Sequence, residues 1–205
     1  MPSCGKIYHY DYLRHMKILD HRIDIAPFRN SPNCDARPDA ADISLLVIHC
    51  ISLPPRQFGG PYIEQLFCNT LDPNAHPYFQ EIAPLRVSAH VLIRRDGELL
   101  QFVPFDQRAW HAGVSQYQGR ERCNDFSIGI ELEGAVNQPY CEPQYQRLIE
   151  LTQLLLKHYP KLNPERIVGH SDIAPGRKDD PGDSFDWRRY RAGLAIDSTS
   201  EIGSG

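Results

Sequence analysis

The feature that most constrains the fold is an unbroken apolar run that ends in a histidine. Residues 44–48 read SLLVI, and His49 follows them directly. A continuous apolar run of this length is typical of a strand buried on both faces, because both sets of alternating side chains are then covered. The run therefore predicts a buried strand that delivers His49 at its carboxyl-terminal edge.

Two further patterns predict strands. Residues 126–133 read FSIGIELE, and the two-residue period of a strand places Glu131 and Glu133 on one face. Residues 91–103 hold an Asp-Gly pair, at 96–97, between two apolar runs. An Asp-Gly pair in this setting is the strongest short-range indication of a β-hairpin in the chain.

Helices are predicted where apolar residues recur at a spacing near 3.6. Pro143 opens the one long helix, its apolar face continues to Tyr159, and Pro160 ends it. Shorter helices are predicted after Pro61 and over residues 187–194. Strands mixed with helices predict an α/β fold, a single domain with a mixed central β-sheet and helices packed on it.

The chain divides into three parts. Residues 1–27 are a polar leader that we expect to be irregular, with Met16 as an alternative start of translation. Residues 28–195 form the domain, and residues 196–205 are expected to be a disordered tail. Within the domain, residues 72–84 are rich in proline and aromatic residues and are predicted to form a loop.

Composition excludes several classes of protein. The 205 residues are 41% hydrophobic and 23% charged, with a net charge of -4, as in an ordinary soluble enzyme. No basic stripe indicates a nucleic-acid partner, and no apolar run approaches the roughly 20 residues of a membrane span.

The first thirty residues show no apolar signal region, and the six cysteines show no CxxC spacing. We expect a cytoplasmic protein with reduced thiols, no membrane partner and no obligate protein partner.

A second motif carries three chemically useful side chains on one short segment. Residues 167–182 read IVGHSDIAPGRKDDPG. A short apolar run delivers His170 at a turn preceded by glycine, and the Ala-Pro-Gly at 174–176 breaks regular structure. Lys178 and Asp180 follow on a loop. This segment thus holds an imidazole, an ammonium group and a carboxylate within eleven residues. The combination indicates part of a metal site together with a group that can stabilise negative charge.

A zinc site needs at least one more ligand from elsewhere in the chain, and His49 is the candidate. Two imidazoles and one carboxylate leave a fourth position open, which is typical of catalytic zinc. A base should then be a carboxylate on a rigid strand, and Glu131 fits. Lys178 could stabilise the oxyanion that develops on an attacked carbonyl. Together these groups predict metal-assisted amide hydrolysis.

Several assignments stay open on the residues alone. Asp180 could instead be a helix N-cap before Gly182, and Asp179 competes directly with it as the carboxylate ligand. Glu133 competes with Glu131 as the base, and we assign Glu133 to solvent or to pairing with an arginine. His90, at the start of a predicted strand, fits a buried structural histidine better than a fourth ligand.

Five segments, which together span roughly residues 31–190, carry a family resemblance. They are LLVIH with ISLPP (45–55), HPYFQEI (76–82), LRVSAHVLIRRDG (85–97), RAWHAGVSQYQGRERCNDFSIGIELEG (108–134), and GHSDIAPGRKDDPG with FDW (169–187). With these segments the sequence resembles the AmpD family of cytoplasmic zinc amidases, which cleave the bond between the anhydro-muramyl lactyl group and L-alanine. It is more distantly similar to phage amidase lysozymes and to peptidoglycan-recognition proteins, and the resemblance implies their fold.

The resemblance also implies roles for individual residues. One zinc ion per chain would be bound by His49, His170 and Asp180, the last at the family spacing of ten from His170. Glu131 and Lys178 would be the catalytic pair. Five further residues match positions that bind the muramyl sugar and the stem peptide, or an active-site tyrosine of some relatives: Tyr78, Arg86, Trp110, His111 and Arg122.

One position departs from the family pattern. The residue after the first ligand is usually an asparagine that contacts substrate, and here it is Cys50. Because a thiol cannot donate and accept as a carboxamide does, we expect sugar binding to be weaker or differently arranged.

The function that the resemblance implies is hydrolysis of anhydro-muropeptides in cytoplasmic cell-wall recycling. Two alternatives stay open. The first is a peptidoglycan sensor without chemistry, a class of relative that typically lacks a metal ligand. The second is an amidase of the same mechanism that acts on polymeric peptidoglycan.

Overall fold

The two apolar strand patterns form neighbouring strands at the centre of a five-stranded sheet. The structure is a computed structural model that describes residues 16–195. Its strands are β1 Ile18–Leu19, β2 Arg22–Ile23, β3 Cys34–Ala36, β4 Leu45–Ile51, β5 Val91–Ile93, β6 Leu99–Gln101, β7 Gln107–Ala109, β8 Gln116–Tyr117, β9 Arg120–Glu121, β10 Ser127–Glu133 and β11 Ile167–Gly169. Its α-helices are α1 Tyr62–Phe67, α2 Phe79–Ile82, α3 Glu142–His158, α4 His170–Ile173 and α5 Trp187–Ala195.

The central sheet is mixed, as predicted. Its strand order is β11-β4-β10-β5-β6. The first four strands run parallel to one another, and β6 pairs antiparallel with β5 in the predicted hairpin. In the pairing of β4 with β10, Glu131 lies opposite His49. Paired residues project from the same face of a sheet, so this register brings a carboxylate beside an imidazole.

The two faces of the sheet are covered differently. On one face, Leu46, Ile48 and Ile130 pack against the long helix α3 in the largest apolar cluster. On the other face, Val47 packs with a smaller cluster that includes Ala112. His49 and Glu131 project from the same face as Val47, away from the face that α3 covers. Within residues 16–195, none of the helices combines the length and the apolar character of a membrane span.

The amino-terminal leader is not irregular throughout. Residues 18–23 form the hairpin of β1 and β2, and Ile18 and Ile23 are buried in the main core. The Ile23 N–H donates to Oε1 of Gln101 at 2.7 Å, which ties the hairpin to β6. The prediction of an irregular leader is therefore wrong for this hairpin. Residues 1–15 and 196–205 lie outside the described residues, and the domain boundary at residue 28 stays a prediction.

Three local predictions need correction. The predicted loop at 72–84 contains the helical turn α2, because Phe79 and Ile82 lie three residues apart and are both buried. Strand β4 does not end at His49 but continues to Ile51, since its pairing with β10 continues that far. The segment after β11 begins with the one-turn helix α4 rather than with a simple turn.

The central strand offers a test of this packing. Ile130 is fully buried between Ile48 and Val91, its partners on the neighbouring strands. We expect Ile130→Ala to lower the free energy of unfolding by about 2–5 kcal/mol, because the truncation leaves a cavity in the core. Chemical denaturation measures this loss. Val114→Ala is the matched control, since Val114 is 87% exposed, and a similar loss in both variants would contradict the assignment.

Candidate metal centre

Three side chains from two separate parts of the chain converge at the carboxyl end of β4. The Nδ1 atoms of His49 and His170 are 2.9 Å apart. Each Nδ1 atom lies 3.1 Å from Oδ2 of Asp180. Both histidines are buried, and Asp180 is largely buried. Strand β4 carries the first ligand candidate, the start of α4 carries the second, and the loop after α4 carries the third.

The geometry and the donor set fit a zinc-type ion. A tetrahedral ion bonded at 2.0–2.2 Å holds its ligand atoms about 3.3–3.5 Å apart, and the observed separations are only a few tenths of an ångström shorter. Two imidazole nitrogens and one carboxylate oxygen are typical ligands of catalytic zinc. In the described part of the chain, this is the one group of three such residues whose ligand atoms all lie within 4.8 Å of one another.

The protonation states suit metal binding. Burial lowers the pKa of His49 to about 4, although the nearby Asp180 opposes the shift. Burial alone would raise the pKa of Asp180, but hydrogen bonds with His170 and His49 outweigh it and hold that pKa well below its usual value. At neutral pH the site therefore presents a neutral imidazole at His49 and a carboxylate at Asp180, the forms that bind a metal.

The structure separates the two competing aspartates. Asp179 is exposed, whereas Asp180 points into the cluster. The backbone also holds Asp180 in place, because its carbonyl accepts a hydrogen bond of 2.9 Å from the N–H of Ser171 in α4. The geometry therefore favours Asp180 as the carboxylate ligand.

Glu131 lies beside this cluster and has an unusual environment. Its Oε2 atom is shielded from solvent and finds no hydrogen-bond partner among residues 16–195. Burial raises the pKa of Glu131 well above its usual value, the charge of Asp180 adds to this, and Lys178 opposes it. A carboxylate with a raised pKa next to a metal site is suited to accepting and returning a proton.

The competing Glu133 has a structural role. It is buried, and its carboxylate accepts hydrogen bonds from the backbone N–H groups of Gly59 at 2.6 Å and Arg95 at 3.2 Å. Nη1 of Arg94 lies 3.5 Å from the same carboxylate, which confirms the predicted pairing with an arginine. His90 is also structural, since it is fully buried and its Nδ1 accepts from the N–H of Gly129 at 3.0 Å.

The cluster opens into a cleft of about 390 Å³. Lys178 is exposed and lines this cleft together with Glu131. One wall of the cleft is apolar and is formed by Leu53, Leu66, Phe67, Ile82 and Leu85. A cleft that combines an apolar wall with converging polar groups is the usual form of a substrate site.

The structure distributes the five predicted substrate contacts unevenly. Tyr78, Trp110 and His111 line the cleft. Arg122 lies in an adjoining pocket of about 320 Å³ that shares Trp110 as a wall. Arg86 lines neither cavity; its side chain is exposed and donates to carbonyls of its own loop, with the nearest, that of Pro84, at 3.2 Å.

Cys50 lines the cleft next to His49 and is half-buried. Burial raises the pKa of its thiol to about 12, although a hydrogen bond with Tyr140 opposes the shift. At physiological pH the thiol of Cys50 is therefore protonated.

Sequence reasoning missed two arginines that support the site. Arg177, next to Lys178, donates to the carbonyls of Ala112 at 2.7 Å and Val114 at 2.6 Å, which ties the ligand loop to the loop before β8. Arg37 is buried and donates to the carbonyls of a neighbouring segment, including that of Ser127 at 2.7 Å. A buried arginine that binds backbone carbonyls follows no residue periodicity, so only the fold exposes it.

With this geometry in place, comparison with known proteins identifies the family. Residues 39–183 match the Amidase_2 family, described as N-acetylmuramoyl-L-alanine amidase. The chain belongs to this amidase family. The resemblance stated from the sequence motifs is thereby confirmed, and so is the predicted fold class.

Curated and solved relatives agree with the family match. The chain is 61% identical over 172 residues to 1,6-anhydro-N-acetylmuramyl-L-alanine amidase AmpD of Salmonella typhimurium, covering 84% of this chain and 91% of that protein. A crystal structure of a selenomethionine derivative of AmpD is 59% identical, with a TM-score of 0.85 over 87% of this chain and 99% of that one. The amidase AmiD from Escherichia coli, solved with anhydro-N-acetylmuramic acid-L-Ala-D-gamma-Glu-L-Lys, is 32% identical, with a TM-score of 0.56 over 78% of this chain and 60% of that one.

The adjacent aspartates provide a matched test of the metal centre. We expect Asp180→Ala to lose one metal equivalent per chain on dialysis, because the cluster loses its only carboxylate ligand. Asp179→Ala should retain the metal, since Asp179 is exposed and stands outside the cluster. Metal analysis of the dialysed proteins measures both. Retention of metal by Asp180→Ala together with loss by Asp179→Ala would reverse the assignment.

Proposed function

We propose that this protein is a zinc-dependent amidase that hydrolyses the bond between the lactyl group of 1,6-anhydro-N-acetylmuramic acid and L-alanine in soluble muropeptides. The observation that carries the proposal is the convergence of His49, His170 and Asp180 beside Glu131 in one cleft. The substrate class rests on relatives named 1,6-anhydro-N-acetylmuramyl-L-alanine amidase that are about 60% identical over most of the chain. The proposal includes the cytoplasmic role in cell-wall recycling that the resemblance implies.

His49, His170 and Asp180 would hold the zinc ion. When bound, zinc supplies a Lewis acid that polarises a carbonyl oxygen and lowers the pKa of water. The ligand atoms of these largely buried side chains lie 2.9–3.1 Å apart, which would fix the position of that charge in the cleft. Their rigidity matters because catalytic groups must be held within a fraction of an ångström of the productive geometry.

Glu131 moves the proton in this proposal. As the attacking water forms a bond to the lactyl carbonyl carbon, the carboxylate accepts the proton that the water loses. As the carbon–nitrogen bond breaks, the carboxyl group returns that proton to the amine of L-alanine. The raised pKa of Glu131 suits both halves of this transfer, because a stronger base accepts the proton more readily and the environment stabilises the neutral form.

Lys178 would stabilise the charge that develops on the attacked carbonyl oxygen. Lys178 is exposed and lines the cleft together with Glu131. Its positive charge lies close enough to lower the pKa of Glu131, against the effect of burial. Removing one oxyanion donor typically costs about 10²–10³ in kcat.

The two cavities would share the rest of the substrate. Trp110 stands between the metal cleft and the charged pocket that contains Arg122, so a ligand that occupies both must cross this ring. We retain Tyr78, Trp110 and Arg122 as proposed contacts to the muramyl sugar and the stem peptide. Arg86, exposed on the loop beside the apolar wall, would need to turn toward the cleft to join them.

The catalytic proposal is tested by peptide release from a defined substrate. We expect the zinc-loaded protein to release L-Ala-peptide from anhydro-muropeptide. Glu131→Gln should retain zinc but lower kcat by about 10²–10⁴, because the amide side chain cannot take the proton. Glu121→Gln, at an exposed site on β9, is the control and should leave kcat unchanged.

Each other result has a distinct meaning. Full turnover by Glu131→Gln would show that another group is the base. Zinc binding without any release would favour the peptidoglycan sensor. Release from intact sacculi but not from soluble muropeptides would favour an amidase of polymeric peptidoglycan.

A further inference from the structure

Both histidines of the metal centre turn their second ring nitrogen toward the same short segment. Nε2 of His49 lies 2.9 Å from Nδ1 of His111. Nε2 of His170 lies 3.1 Å from the carbonyl oxygen of Ala112. Two consecutive residues therefore contact the two imidazoles at the nitrogen that points away from the metal site. His111 does so through its side chain, and Ala112 through its backbone carbonyl.

These contacts determine where each imidazole carries its proton. A carbonyl oxygen can only accept, so His170 must hold its proton on Nε2, which leaves the lone pair of Nδ1 facing the cluster. For His49 to offer Nδ1 to a metal, its proton must also be on Nε2. Nδ1 of His111 must then accept a hydrogen bond from that N–H group. The proton of His111 consequently lies on Nε2 and is donated to Oγ of Ser127 at 3.0 Å.

The segment that makes these contacts is itself held firmly. Oδ1 of Asn124 accepts from the backbone N–H groups of His111 at 3.2 Å and Ala112 at 2.8 Å. Gly129 leaves space for the imidazole of His111, since a Cβ atom at that position would lie 2.4 Å from the ring. Asn124 and Gly129 therefore hold His111 and Ala112 in position beside the two metal-site histidines.

We propose that His111 is a positioning residue for the metal centre, acting through His49, and that Ala112 plays the same part for His170 through its carbonyl. The inference rests on the proposed metal site and changes the role that the family resemblance implies for His111. Both ring nitrogens of His111 are engaged by His49 and Ser127, so a substrate could meet only the ring surface. Outer partners of metal-binding histidines fix ring orientation and proton position, and their loss typically weakens metal affinity about 10–100-fold.

A pair of substitutions separates positioning from simple space filling. In His111→Gln, the side-chain carbonyl can accept from Nε2 of His49 and the amide can donate to Ser127. In His111→Leu, neither is possible. We expect His111→Leu to raise the zinc dissociation constant about 10–100-fold in chelator competition, and His111→Gln to recover most of that loss. Metal-free unfolding temperatures show whether either substitution acts through the fold instead.

Nitrogen-15 NMR of the histidine rings in the zinc-loaded wild-type protein tests the same inference without a variant. The expected spectrum has protons on Nε2 of His49 and His170, and zinc on both Nδ1 atoms. Zinc on Nε2 of His49, or wild-type zinc affinity in His111→Leu, would overturn the inference. Neither measurement uses catalysis, so a protein that binds zinc as expected but releases no peptide would contradict the proposed function alone.

Discussion

The parallel pairing of β4 with β10 is the constraint on which the site depends. Seven residue pairs hold the two strands in one register, and that register sets Glu131 directly opposite His49. A slip of one residue would turn either side chain to the helix-covered face of the sheet and bury it among leucines and isoleucines. The apolar residues that alternate with the functional ones therefore fix the chemistry, because their burial against α3 is what makes any other register unfavourable.

The same arrangement explains how the fold tolerates buried charge. An isolated carboxylate at the position of Asp180 would be costly to bury, but two imidazoles lie within hydrogen-bond distance of it. Glu131 has no such partner among the described residues, and its raised pKa reflects that difference. Two carboxylates in one cleft thus have opposite tendencies: one remains charged and suits metal binding, and the other favours a proton and suits its transfer.

Much of the fold and of the metal site could be predicted from the sequence, and there are physical reasons why the rest could not. Strands and the long helix follow from periodicity, and the motif around His170 indicated metal chemistry. The hairpin at 18–23 was missed because only two isoleucines in a polar stretch enter the core. The contacts of His111 and Ala112 behind the ligands could not be predicted either. They depend on the path of one loop past the sheet, and a backbone carbonyl has no signature in the sequence.

The proposed metal centre requires two distant imidazoles and one carboxylate to share a single ion. Crystals of the zinc-loaded protein, measured at the zinc absorption edge, test it most directly. We expect one anomalous peak per chain, bonded to Nδ1 of His49, Nδ1 of His170 and Oδ2 of Asp180 at about 2.0–2.2 Å. A peak that excludes His49, or zinc bound only elsewhere on the chain, would contradict it.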